Sequence, residues 1–147
     1  MPGALGTTFK NDLMKLIFQA VAIANLADNA ASAPLTNLYV SLHTADPGAG
    51  GNQTTNEISY TGYARIAVAR TSGGWAVTGE IANPVAQIVF GIMTAGAGGT
   101  VTHAAVGTAA SGTGKILYGA GCAVVPNQLV SNGVTPKLAV TSAFTIN

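Results

Sequence analysis

Apolar residues recur at Phe9, Leu13, Leu16, Ile17, Ala20, Val21 and Ala24, the spacing of one helix face, and predict an α-helix from Phe9 to about Ala27. Thr7 or Thr8 stands where a hydroxyl can cap the first amides, and Asp12 falls in the early turns, where a carboxylate suits the helix dipole. Met14, Phe18 and Ile23 add apolar surface outside that stripe, more than one packing face needs. The helix is therefore expected to touch two things: it reads as buried against its own sheet or, alternatively, as docking on a neighbouring protein, with Phe9, Leu13, Leu16, Ile17 and Phe18 as the partner-contact residues. Residues 29–34 read as a linker.

From Thr36 onward the period becomes two. Leu38, Val40 and Leu42 alternate with Tyr39, Ser41 and His43, the pattern of a half-buried strand. Next comes a polar, glycine-rich excursion, "TADPGAGGNQTTNE", read as a protruding contact or solvent-facing arm. "YTGYARIAVAR" predicts a second strand, and "TSGG" a turn that pairs it with "WAVTGE" as a hairpin. "PVAQIVFGI", "GTVTHAAVG", "KILYGA", "GCAVV" and "KLAVTSAFTI" follow as further strands, with Gly, Asn and Pro punctuating most of the gaps. Short strands at intervals of about 8 to 14 residues, with no helical period between them, predict a mainly β protein. The expected fold is an antiparallel β-sandwich or jelly-roll-like domain preceded by one N-terminal α-helix. It is expected to be a single domain over 1–147, with arm and helix in 1–35 and sandwich in 36–147.

Composition narrows the functional classes. Charged residues make up 7% of the 147, against about 25% in an ordinary soluble domain, and the net charge is +1. Small residues dominate: 26 Ala, 19 Gly, 17 Thr and 7 Ser make up nearly half the chain. A surface with so few ions does little to repel its own copies, so much of it is expected to lie against other subunits. Lys10, Lys15, Arg65, Arg70, Lys115 and Lys137 are scattered and form no basic run that tracks phosphates, so no nucleic-acid partner is expected. The longest apolar stretch, Leu16 to Ala27, is interrupted by Gln19 and Asn25 and is too short to span a membrane. Cys122 is alone and reads as a small buried hydrophobe.

Candidate chemistry is sparse. His43 and Asp46 in "HTADPG" suggest a base and its orienting carboxylate, but no nucleophile elbow accompanies them. Asp-Pro-Gly is turn chemistry: Pro47 presets φ, Gly48 takes positive φ, and the Asp46 carboxylate accepts from backbone amides. Asp46, Asn52, Gln53, Asn56 and Glu57 are oxygen ligands of the kind calcium prefers, at a spacing unlike an EF-hand. "GTGKI" at 112–116 resembles the end of a phosphate-binding loop, yet it lacks the earlier glycine, which would fall at Ala109, and the following hydroxyl, replaced by Ile116. It reads as a hairpin turn, and "TAGAGGT" at 94–100 as another. His103 reads as a satisfied sheet histidine and Trp75 as a core anchor. Arg65 and Arg70, on one predicted strand, read as surface salt-bridging residues, with cross-subunit pairing as the alternative. No catalytic, cofactor-binding or metal-binding residues are assigned, and no enzyme is expected.

The series "LYVSLHTADPG", "TNE", "YTGYARIAVAR" and "GGWAV", followed by "THAAVGTAASGTGKILYGA" and "SNGVTPKLAV", resembles a family of small tailed-bacteriophage virion proteins. The resemblance runs from about residue 36 to the end, with the helix in its expected place. It departs at "AQIVFGIMTAG" and at Leu138, where an aromatic is common. Many such sequences are labelled tail fibre protein, while similar small β-sandwich proteins with an N-terminal helix cement or decorate phage heads. The resemblance implies a virion structural protein without cofactors. Head cement bound to the major capsid protein lattice, as a homotrimer on the head surface, is the favoured role that the resemblance implies. A small tail fibre or baseplate component is the alternative.

Overall fold

The structure, a computed structural model, describes residues 6–23, 26, 33–119 and 122–146. It is mainly β, with antiparallel sheets and one N-terminal helix, consistent with the expected β-sandwich class. Helix α1 (Thr7–Gln19) precedes β1 (Asn37–His43), β2 (Ile66–Ala69), β3 (Trp75–Thr78), β4 (Ile81–Pro84) and β5 (Ile88–Val89). Then come β6 (Gly99–Gly107), β7 (Ile116–Tyr118), β8 (Ala123–Val130), β9 (Lys137–Leu138) and β10 (Phe144–Thr145). The chain divides into two compact units, one drawn from Met1–Asn37, Val68–Ala86 and Ala139–Asn147, the other from Leu38–Ala67 and Gln87–Leu138.

In the first unit, α1 packs on β3 and β4, which belong to a three-stranded sheet ordered β10-β4-β3. The helix starts on an N-cap at Gly6, not on a threonine, with no side-chain cap, and its first turn holds no acidic residue, which leaves Asp12 in the second turn. It also stops eight residues before the predicted end. Ala20 turns left-handed at φ 57°, and the Arg70 guanidinium donates to the carbonyls of Leu16 at 2.5 Å and Ile17 at 2.6 Å. Those carbonyls belong to the last helical turn and have no partner within the helix, so a cation placed there ends it favourably. Ala24 and most of the predicted linker lie outside the described residues.

The buried helix positions are Met14 and Phe18, both 0% exposed, and not the predicted stripe. The apolar arc of α1 is wider than one packing face needs, so periodicity alone does not say which part of it is buried. Here the choice falls to Trp75, whose ring meets Phe18 edge-on at 4.7 Å and Phe144 at 5.9 Å. Trp75 is the core anchor that its size predicted. The hairpin that holds it joins β3 to β4, register Thr78↔Ile81, through Gly79 at φ 61°. The predicted pairing across "TSGG" is not formed; that segment makes a local turn, with Gly74 and Trp75 amides donating to Thr71.

In the second unit, β1 and β6 form the antiparallel spine, paired from Tyr39↔Gly107 to His43↔His103, within a sheet ordered β2-β1-β6-β7 with β8 also on β6. Leu38, Val40 and Leu42 are buried as alternation predicted, but Ser41 and His43 are 0% exposed too. β1 is therefore buried on both faces. The second cover is the 44–57 excursion, which folds back over the sheet instead of projecting from it.

Candidate functional site

Loop 44–57 brings the buried Gln53 and the Glu57 carboxylate to the buried polar residues Ser41, His43 and Arg65. Its start behaves as turn chemistry requires: the Gly48 amide donates to Asp46 Oδ1 at 2.8 Å, and Gly48 has φ 68°. Further on, Gln53 is fully buried, accepts from the Ala109 amide at 2.9 Å, and donates weakly to the Tyr39 carbonyl at 3.4 Å. Its own amide donates to the Gly114 carbonyl at 2.9 Å, and Asn52 bridges Lys115. The loop thus grips the β6–β7 hairpin, the segment that resembled a phosphate loop, and Gly112 turns there at φ 72°.

Space for Gln53 comes from two glycines. A Cβ at Gly107 would stand 2.2 Å from the Gln53 side chain, and one at Gly114 would stand 2.1 Å from its Oε1. Gly107→Ala is expected to destabilise the fold by about 1–3 kcal/mol in urea unfolding, the usual range for overpacking, and Gln53→Ala in the same chain should recover part of that loss. Equal stability of Gly107→Ala and the parent would show that Gln53 is free to move aside.

Glu57 and Arg65 form the unit's ion pair. Arg65 Nε donates to Oε1 and Nη2 to Oε2, each at 2.7 Å, with side chains 3% and 14% exposed. The remaining guanidinium donors reach the hairpin carbonyls of Ala109 at 3.0 Å and Gly112 at 2.8 Å. Tyr63 adds a donor to Glu57 Oε1 at 2.9 Å and accepts from the Leu42 amide at 3.0 Å. Hydrogen bonding to Glu57 raises the Arg65 pKa, and burial raises that of Tyr63, so both stay protonated. Surface salt-bridging does not describe Arg65, whose side chain is 3% exposed and paired with Glu57 of its own chain. The two arginines flank β2 instead of sharing it; Arg65 donates to the Gly112 carbonyl as well as to Glu57, and Arg70 donates to the Ile17 carbonyl.

The oxygen groups that suggested calcium are likewise committed. Asn52 Oδ1 accepts from Thr54, the Asn56 amide donates to the Asp46 carbonyl, and Glu57 holds Arg65. Among the described residues no three His, Cys, Asp or Glu side chains gather into a metal-ligand group.

One pairing escaped the sequence reading. Ser41 Oγ lies 2.9 Å from His43 Nε2, and His43 Nδ1 lies 2.8 Å from the Thr55 carbonyl. A carbonyl can only accept, so Nδ1 carries the proton and neutral Nε2 accepts from the serine hydroxyl. The distances are those of a nucleophile, its base and an orienting acceptor. Two residues apart on a strand puts both side chains on one face, a signal that a search for nucleophile elbows passes over. At 0% exposure neither Ser41 nor His43 meets a substrate, and burial lowers the histidine pKa, so the pair acts as sheet-to-loop structure.

Of the predicted partner-contact residues, Phe18 lies in the first unit's own core, while Phe9, Leu13, Leu16 and Ile17 are half-buried on α1. Exposed aliphatic side chains that pattern reading did not single out include Val125 and Leu129 of β8, at 87% and 67%. His103 is half-buried beside Thr102 Oγ1 at 2.8 Å. Cys122 is half-buried, and burial raises its thiol pKa, which leaves it a weak nucleophile.

No described helix is long and apolar enough to cross a membrane. A comparison with curated proteins finds no match. A family described as "Podophage GP4 fiber I protein gp80" has a model that matches residues 5–142, nearly the whole chain. With this sheet-and-helix architecture and that near full-length match, the chain belongs to this family of phage virion structural proteins.

Proposed function

We propose that the protein is a non-enzymatic subunit of the phage fibre apparatus, working through repeated noncovalent contacts with other virion proteins. The observation that carries this reading is the near full-length match to a family described as fibre protein. The geometry supports it: the ion pair, both arginines and the Ser41–His43 pair are turned to internal use, which leaves amides, hydroxyls and isolated aliphatics for partners. Such surfaces suit association in many copies, where modest contacts sum.

Head cement on the major capsid protein lattice, assembled as a homotrimer, is the second reading. It rests on small size, low charge and the combination of β domain with N-terminal helix. Antibody labelling of intact particles separates the two. Gold confined to the fibres supports the first reading, and gold spread over the head supports the second.

In either setting the half-buried side of α1 is the proposed contact. Replacing Leu13 and Ile17 together by Asp is expected to remove the protein from purified particles while its circular dichroism stays that of the parent. Parent-level occupancy by that variant would exclude the helix as the docking element.

A further inference from the structure

His43 is a titratable group placed between the sheet and loop 44–57, at 0% exposure. Its ring joins Ser41 on β1 to the Thr55 carbonyl in the loop, and Thr44 fastens the same loop by its amide and hydroxyl to the Asn56 carbonyl. The charged and titratable groups facing it are Glu57 from the loop, Arg65 from the segment before β2, and His103 opposite on β6. Tyr63 sits one residue away, on the Leu42 amide. Glu57 favours a proton on His43, but its carboxylate is already held by Arg65 and Tyr63, and Arg65 and His103 oppose one.

A second proton on the ring is accommodated by hydrogen bonding. Nε2 would then donate to Ser41, whose hydroxyl turns toward the Ala105 carbonyl, 3.5 Å away. What it lacks is solvation, because an imidazolium at 0% exposure has lost its water. Lifting the loop restores that water. The sheet beneath keeps its β1–β6 ladder and the buried Leu38, Val40 and Leu42 face.

We propose that loop 44–57 is an acid-sensitive latch: a proton on His43 opens the loop from the β1–β6 face while the sheet stays folded. The latch is independent of the fibre assignment. In the closed form burial lowers the His43 pKa from 6.5, and in the open form the ring is hydrated and titrates normally. Closure is therefore fully favoured above about pH 6.5 and weakens as pH falls below it, by about tenfold in population for each unit of depression.

Hydrogen exchange read by mass spectrometry at about pH 7.5 and about pH 5, corrected for intrinsic rates, tests this in the full chain. Protection of 44–57 should fall in acid while β3–β4 and β6 peptides hold theirs. His43→Gln should remove the response, and His103→Gln should keep it. Unchanged loop protection, simultaneous loss across all peptides, or an acid response that survives His43→Gln would each overturn the latch. If His43→Gln does not fold, the His43 imidazole followed by NMR in the parent decides: a midpoint shared with loop exchange supports the latch, and titration without loop exchange overturns it.

Discussion

Replacing Glu57 by Leu is expected to cost about 3–5 kcal/mol of stability in urea unfolding, the range for breaking a buried ion pair from one side. The size follows from what is left behind. Arg65 would keep its charge at 3% side-chain exposure, with only the Ala109 and Gly112 carbonyls as acceptors, and the Tyr63 hydroxyl would lose its acceptor too. Arg65→Met is expected to be nearly as damaging, because it frees the carbonyls that tie the β6–β7 hairpin as well as the Glu57 carboxylate. The double variant should be less damaged than the sum of the two, since neither charge is then left alone. A loss below about 1 kcal/mol for Glu57→Leu would mean that the pair behaves as an exposed one.

Trp75→Ala is the other large effect, with an expected loss of about 3–5 kcal/mol from the cavity it opens. The indole is 0% exposed and fills the space between Phe18 on α1 and Phe144 on β10, so its removal leaves both rings without their edge contacts. Trp75→Phe separates packing from polarity. The indole Nε1–H is buried with no hydrogen-bond partner, so replacing it removes an unpaired donor while keeping an aromatic ring. That variant should lose less than half as much as Trp75→Ala, and an equal loss would show that the indole's shape alone holds the unit together. Calorimetry on the three proteins makes the comparison.

The two effects show different degrees of legibility in the sequence. Trp75 is legible as an anchor because a large apolar ring in a small chain has few other places to go. The Glu57–Arg65 pair is not, although the residues are only eight apart. A charged residue read alone defaults to the surface, and only the fold-back of 44–57 removes both partners from water. Loop 44–57 looked like a solvent-facing arm for the same reason: polarity usually signals exposure. Here Gln53 and Thr55 satisfy β1 and the β6–β7 hairpin with their own amides and carbonyls, which lets a polar segment serve as a covering layer.

What the sequence determined by itself was local or compositional. The N-terminal helix, the period-two strands, the Asp46-Pro47-Gly48 turn and the low-charge surface each follow from neighbours within a few residues, where backbone sterics and spacing act directly. The tertiary structure decided whatever needed two distant segments. It chose Met14 and Phe18 as the buried part of a helix whose apolar arc is wider than one packing face, ended that helix on Arg70, and paired β3 with β4. It also brought Ser41, His43 and the Thr55 carbonyl into line under a loop. Those outcomes depend on which side chain fills which space and which buried donor finds an acceptor, quantities that exist only once the chain has closed on itself.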